Sequence, residues 1–284
     1  MLNQEQKFNR FLVAEYLKYG SVDEAFKQND YSLPISYANY QRILDQWGII
    51  KAAGANSKLN EAIDFLYHLA EKEVPFEALY KKMPVSFRTS AVTLYRILSY
   101  VKEGLTRRVG TGLILSPFGN QRNILIAKDI SRPRLELGKP YGAITIPMGF
   151  SRKRDSREDA ILRILQQEVF TNLALAKKVP KIIPLAPKPF MFLDIADVRV
   201  EIFEIRLPQK WSSTRIYSSY KLQNYKFVDI DNLAPLKSLR IGVAEVVAGY
   251  TKYLEFKQRK LSFNPLQYKS SLNYHLAEIP EESL

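Results

Sequence analysis

The sequence predicts an α+β protein, with an N-terminal all-α tandem helix-turn-helix region followed by a second domain containing short β-rich runs. Two observations carry this prediction. A helical segment recurs at a fixed offset within the first hundred residues, and beyond residue 108 helical spacing gives way to short β-rich runs. At 284 residues and 46% hydrophobic content the chain can build two or three units, each with its own core. The expected division is 1–56 and 57–108 for two helix-turn-helix units, 109–256 for the sheet domain and 257–284 for a C-terminal tail.

The repeat sets Ser36-Tyr-Ala-Asn-Tyr-Gln-Arg42-Ile43-Leu44 against Ser90-Ala-Val-Thr-Leu-Tyr-Arg96-Ile97-Leu98, an offset of 54 residues. Tyr40, Ile43, Leu44 and Trp47 answer Leu94, Ile97, Leu98 and Val101, each set forming one apolar stripe at helical spacing. The preceding serine can accept a bond from an unpaired amide of the first turn, so each helix is expected to start there. Upstream, 8–19 and 59–73 read as amphipathic helices followed by a short second helix. Gly20 stops the first of these, and Ser21 with Glu24 suits a capping box for the next. Three short helices with the third capped by serine make a helix-turn-helix unit, and Gly104-Leu-Thr-Arg-Arg-Val-Gly110 suits the wing of a winged helix.

With the stripes inward, Tyr37, Asn39, Gln41 and Arg42 of the first copy, and Thr93 and Arg96 of the second, lie at or beside the open face. Asn or Gln can bond an adenine edge, Arg a guanine edge, and Arg107 with Arg108 could neutralise phosphates, so double-stranded DNA is the expected partner. Tandem three-helix units also serve as protein-docking or dimerisation platforms, and that alternative, like RNA binding, stays open.

The charge balance, 42 Lys and Arg against 29 Asp and Glu for a net +13, favours polyanions without choosing among them. The absence of cysteine excludes thiolate catalysis, disulfides and cysteine-based zinc sites. His68 and His275 have no motif partner. No apolar run approaches the ~18 residues a membrane span needs, and the start lacks secretory order. A cytoplasmic protein with no membrane partner is expected.

From residue 109 the runs Gly112-Leu-Ile-Leu, Asn123-Ile-Leu-Ile-Ala-Lys and Ala143-Ile-Thr-Ile-Pro read as strands. They lead into Pro147-Met-Gly149, a basic loop and an amphipathic helix holding Arg163, Ile164, Leu165, Gln167 and Glu168. In this stretch the sequence resembles the Nudix hydrolase family. Gly149, Arg163, Leu165 and Glu168 fall in register on the family box, 198–208 resembles its long central strand, and 227–233 with a closing helix at 241–256 resembles its later part. The resemblance implies a Nudix-like α/β/α sandwich with a mixed sheet.

The departures from the box matter more than the matches. The family's three helix glutamates, at i, i+3 and i+4, hold magnesium against a pyrophosphate. Here those positions are Ile164, Gln167 and Glu168, with Asp155 at the leading glutamate and Phe170 at the following glycine. Isoleucine cannot ligate a cation and glutamine is a poor hard-cation ligand, so Glu168 is the residual catalytic and metal candidate. Little or no hydrolysis is expected. No cofactor is expected, magnesium entering only if substitute carboxylates among Glu158, Asp159, Glu201 and Glu204 rebuild the site of a nucleoside diphosphate-derivative pyrophosphohydrolase. Arg152, Lys153, Arg154 and Arg157 make the box loop basic, suited to an anionic ligand without metal, to nucleic-acid phosphate, or to a solvated loop. The expected function is a DNA-binding regulator whose Nudix-like domain senses a nucleotide-like or phosphorylated metabolite or forms a homodimer, with hydrolase and RNA-associated scaffold as alternatives.

Overall fold

The N-terminal unit forms as its caps dictate. α1 (Gln4–Tyr19) starts at a capping box between Asn3 and Gln6, and ends where Gly20 takes the left-handed conformation at φ 80°. Ser21 then accepts from the Glu24 amide at 3.0 Å to start α2 (Val22–Gln28), and Ser36 accepts from the Asn39 amide at 3.3 Å to start α3 (Tyr37–Gln46). Leu12, Val13, Tyr16, Val22, Phe26, Tyr40 and Leu44 close the core of this unit, the Tyr40 hydroxyl donating to Leu12 O at 2.6 Å. The computed structural model describes residues 3–51, 91–131, 142–233, 236 and 238–278. The first two helices expected of the second unit, the Ser90 cap and His68 lie outside them.

The sheet domain confirms the α+β class. β1 (Arg108–Ser116) is parallel to β6 (Val198–Arg206) and antiparallel to β4 (Met148–Ser151). β6 pairs antiparallel with β5 (Met191–Ile195), which is parallel to β8 (Leu266–Lys269), giving a mixed five-stranded sheet in the order β4-β1-β6-β5-β8. β2 (Asn123–Asp129) lies between β3 (Ile144–Thr145) and β7 (Leu222–Asp229) in a second, antiparallel sheet. Alternation along β1 and β6 divides the core in two. Leu113, Leu115, Phe203 and Ile205 face α5 (Arg157–Glu168), whereas Ile114, Val198, Val200 and Ile202 face the layer of α7 (Val243–Gln258).

Three expectations about boundaries meet a different arrangement. α4 (Ala91–Lys102), expected as the third helix of the second unit, sends Leu98 and Val101 into the α7-side core together with Leu272 and Leu276 of α8 (Ser271–Ala277). The described part of its apolar stripe, Leu98 and Val101, thus packs in the sheet domain. The segment from residue 257, expected as a tail, supplies β8 and α8. Asn273 on α8 accepts from the Ala196 amide at 2.8 Å and donates to Ala196 O at 3.0 Å, pinning the β5–β6 turn. The basic stretch expected as a wing runs into β1 instead. Arg107 and Arg108 both bond the carboxylate of Asp197, which is fully buried in that turn and needs paired charge.

A chain ended at residue 256 is therefore expected to lose its cooperative transition, since it exposes the β5 edge and removes Leu272 and Leu276 from the core. Thermal melting of the two chains by circular dichroism checks this. A sharp transition in the shortened chain would show residues 257–284 to be dispensable.

Candidate functional site

The strand, loop and helix that the resemblance implies are present as β4, residues 152–156 and α5. Ser156 caps α5 through the Asp159 amide at 3.0 Å, and Glu158 and Asp159 stand in the first turn, where acidic side chains favour the helix dipole. Arg163 is the largest fully buried side chain. Its guanidinium donates to Lys51 O at 3.0 Å and Phe150 O at 3.3 Å and pairs with Asp155, which also accepts from the Arg152 amide at 2.7 Å. Arg163 thus ties the box loop to β4 and to the end of the helical unit. One turn on, Gln166 donates to Gly48 O at 2.6 Å and accepts from the Ile50 amide at 3.0 Å. Two side chains of the box helix satisfy three backbone groups of the N-terminal unit.

The positions aligned with the family's metal ligands are otherwise engaged. Ile164 is buried among Leu113, Leu125 and Phe203, and its Cδ1 would stand 3.1 Å from a Cβ on Gly149, so the glycine there permits close approach of an apolar side chain. Gln167 is buried and its amide nitrogen finds no acceptor among the described residues. Glu168 is buried and accepts from the Met148 amide at 3.0 Å. Burial pushes the Glu168 carboxyl above the usual carboxylate range, opposed by Lys221, by the Met148 amide and by Arg240. Arg240 itself pairs with Asp129 at 2.9 Å, and Lys221 Nζ comes within 4.0 Å of where a Cβ on Gly20 would sit, at the C-terminus of α1. Lys221 and the Arg240–Asp129 pair thus act electrostatically on the buried Glu168 carboxyl.

The substitute carboxylates do not gather around it. Glu201, on the α5 face of β6, is held by Arg157 through two bonds of 3.0 Å. Glu204 points to the opposite face, toward α7, where it meets Tyr250, Tyr253, Lys257 and Arg206. Burial works against its charge, but the lysine and arginine outweigh it and hold the Glu204 carboxyl below the ordinary range. Among the described residues no three His, Cys, Asp or Glu side chains come together as a metal site. This set of residues does not fit magnesium. The glycine position taken by Phe170 needs no special backbone, since Phe170 has φ −122° and packs edge-on to Trp211 and Tyr217.

On the helical unit, Asn39 and Arg42 are exposed and Gln41 is half-buried. Tyr37 is exposed but engaged, its ring stacked on Phe26 at 5.1 Å and its hydroxyl bonded to Asp23; desolvation and that carboxylate push the phenol up. Arg96 on α4 is exposed, and the side chain of Thr93 lies outside the described residues. Of the box-loop cations Lys153 and Arg154 are exposed, while Arg157 belongs to Glu201. His275 is exposed on α8. Charge is unevenly spread: residues 1–90 carry 11 basic and 11 acidic side chains, so the whole excess of +13 lies beyond residue 90. Sequence reasoning missed Lys221, Arg240, Asp129 and Gln166, whose partners lie far along the chain. No described helix is long and apolar enough to cross a membrane.

No protein-family model matches the chain, and no curated protein matches it in sequence. Solved structures of Nudix hydrolases match about half of it. The MutT protein from Methanosarcina mazei Go1 is 10% identical over 54% of this chain and 97% of its own, with a TM-score of 0.37. A Nudix hydrolase from Nitrosomonas europaea is 14% identical over 57% and 78%, at 0.39. The Nudix domain of Shewanella oneidensis NrtR, solved with ADP ribose, is 13% identical over 55% and 97%, at 0.36.

Two outcomes follow. Arg163→Ala should cost about 3–5 kcal/mol, because it leaves Asp155 and two carbonyls unpaired, and Arg163→Lys should not restore the loss, since a single ammonium cannot span three acceptors. Equilibrium denaturation measures both. For Glu168, a raised native pKa means a stability contribution present at low pH and lost as pH rises past the carboxylate range. Glu168→Gln, which keeps an acceptor for Met148, should therefore gain on the wild type as pH goes from 4 to 8. A stability difference that is flat with pH would sink this assignment.

Proposed function

We propose that this chain is a non-hydrolytic regulator in which a Nudix-like domain, with its metal-ligand positions given over to packing and internal ion pairs, is joined firmly to a DNA-reading helical unit. The observation that carries the loss of hydrolysis is the state of Glu168: sealed, bonded to a backbone amide and faced by Lys221 and Arg240. A magnesium ion needs several exposed oxygen ligands, and here the charge around Glu168 is already supplied by Lys221 and the Arg240–Asp129 pair. Hydrolysis of a pyrophosphate needs that ion to neutralise phosphate charge and activate water.

The DNA reading rests on α3, a serine-capped third helix whose Asn39 and Arg42, three residues apart, share an exposed face. The unit is electrically neutral, so phosphate contacts must come from the sheet domain, where Lys153 and Arg154 are exposed. That same distribution favours a second reading, a basic scaffold for RNA, in which the helical unit docks protein. ADP-ribose, which the Shewanella oneidensis domain holds, is the first compound to test as a modulator.

Selection against a randomised duplex library at near-physiological salt should enrich a defined site. Arg42→Ala should weaken binding to it roughly tenfold, the ~1–3 kcal/mol of a bidentate base contact, without changing thermal stability. Binding that enriches nothing and falls steeply with salt would hand the assignment to the scaffold reading. A nucleoside diphosphate panel with magnesium should release no phosphate, and turnover abolished by Glu168→Gln would establish the hydrolase instead.

A further inference from the structure

An open cleft of about 350 Å³ lies where the helical unit meets the sheet domain, away from Glu168. Trp47, which ends α3, forms one wall, and Leu162 of α5 with Val179 and Ile183 forms the apolar floor. Lys177 and Lys181 line it as well, and no carboxylate does. Lys177 Nζ sits 4.0 Å from the centre of the Trp47 ring and bonds Gln46 O at 3.4 Å, so it orients the indole. Lys181 is exposed and has no hydrogen-bond or ion-pair partner among the described residues. The indole N–H of Trp47 is buried without an acceptor, an unsatisfied donor on the residue that joins the cleft to α3.

We infer that this cleft binds a small organic anion with a flat apolar body, of the size of a one- or two-ring aromatic carboxylate. The volume stands at the low end of ligand sites, enough for a ring system and too small for a nucleoside diphosphate sugar such as ADP-ribose. The apolar floor takes the ring, and two ammonium groups with no opposing carboxylate take the anionic end. Because the wall is the C-cap residue of α3, the bound molecule touches the end of the helix assigned to DNA. The site is set by the cleft alone and does not depend on the DNA reading.

The chain has two tryptophans, so ¹⁵N labelling of the full protein gives two indole resonances, and Trp211→Phe identifies that of Trp47. Titration with 2-naphthoate should move the Trp47 resonance saturably and leave Trp211 in place. The neutral 2-naphthalenemethanol should bind at least tenfold more weakly, and Lys181→Gln, a change at an exposed side chain, should weaken 2-naphthoate at least fivefold. The inference is overturned by the absence of a saturable shift, by equal binding of the alcohol, by indifference to Lys181→Gln, or by an equal response to inorganic phosphate. No DNA is present, so none of these results touches the regulator reading.

Discussion

The guanidinium of Arg163 is the constraint on which the arrangement of the molecule turns. A buried cation is tolerated only when its donors are met, and this one finds an acceptor on each of three separate pieces of chain: Lys51 after the helical unit, Phe150 on β4 and Asp155 in the box loop. The box loop follows β4 directly, but Lys51 lies about a hundred residues before both. Their relative positions are therefore set by one planar group with fixed donor directions, which a flexible lysine could not reproduce. Gln166, one turn further on, repeats the logic with neutral groups by taking one donor and one acceptor of the Gly48–Ile50 backbone.

α5 is consequently a hub rather than a surface helix. Its successive faces are each allotted to a different neighbour: Arg163 and Gln166 to the helical unit, Ile164 and Leu165 to the sheet core, Glu168 to β4. The core of the helical unit continues the attachment, since Leu12, Tyr16 and Leu44 belong to one apolar cluster with Ala174 and Leu175 of α6 (Thr171–Leu175), the short helix that follows α5. Both polar and apolar terms thus join the two units.

Much of this architecture was legible in the sequence because it rests on local rules. Ser21, Ser36 and Ser156 cap the helices they precede, and Gly20 stops α1, each acting within four residues. The strands at 112–115 and 123–128 announced themselves by β-rich composition, and the strand within 198–208 by the family resemblance. The box register placed Arg163 and Glu168 on one helix. What sequence could not give was the partner of each charge. Arg107 and Arg108 look like wing cations until Asp197, about 90 residues on, is found buried between them. Glu201 and Glu204 look like companions at a spacing of three, yet an odd spacing on a strand puts them on opposite faces of the sheet. The C-terminal strand and helix were hidden for a related reason: an edge strand of four residues has too short an alternation to be told from a loop.

Packing and internal charge pairing compete with metal binding for the same positions of α5. A magnesium site on α5 would need carboxylates at 164, 167 and 168 facing a water-accessible space, with charge balance supplied by the ion. In this fold position 164 fills the space beside Gly149, and the charge opposite Glu168 is supplied by Lys221 and Arg240. Lys221 Nζ also lies near the C-terminal end of α1, where a helix dipole favours a cation. Putting glutamate back at 164 would bury a second carboxylate in the apolar core beneath the helix, and putting it back at 167 would add a like charge beside Glu168 where only Lys221 and Arg240 answer it. Restoring the ligands would thus strain the packing that fixes α5, and with it the attachment of the helical unit through Arg163 and Gln166.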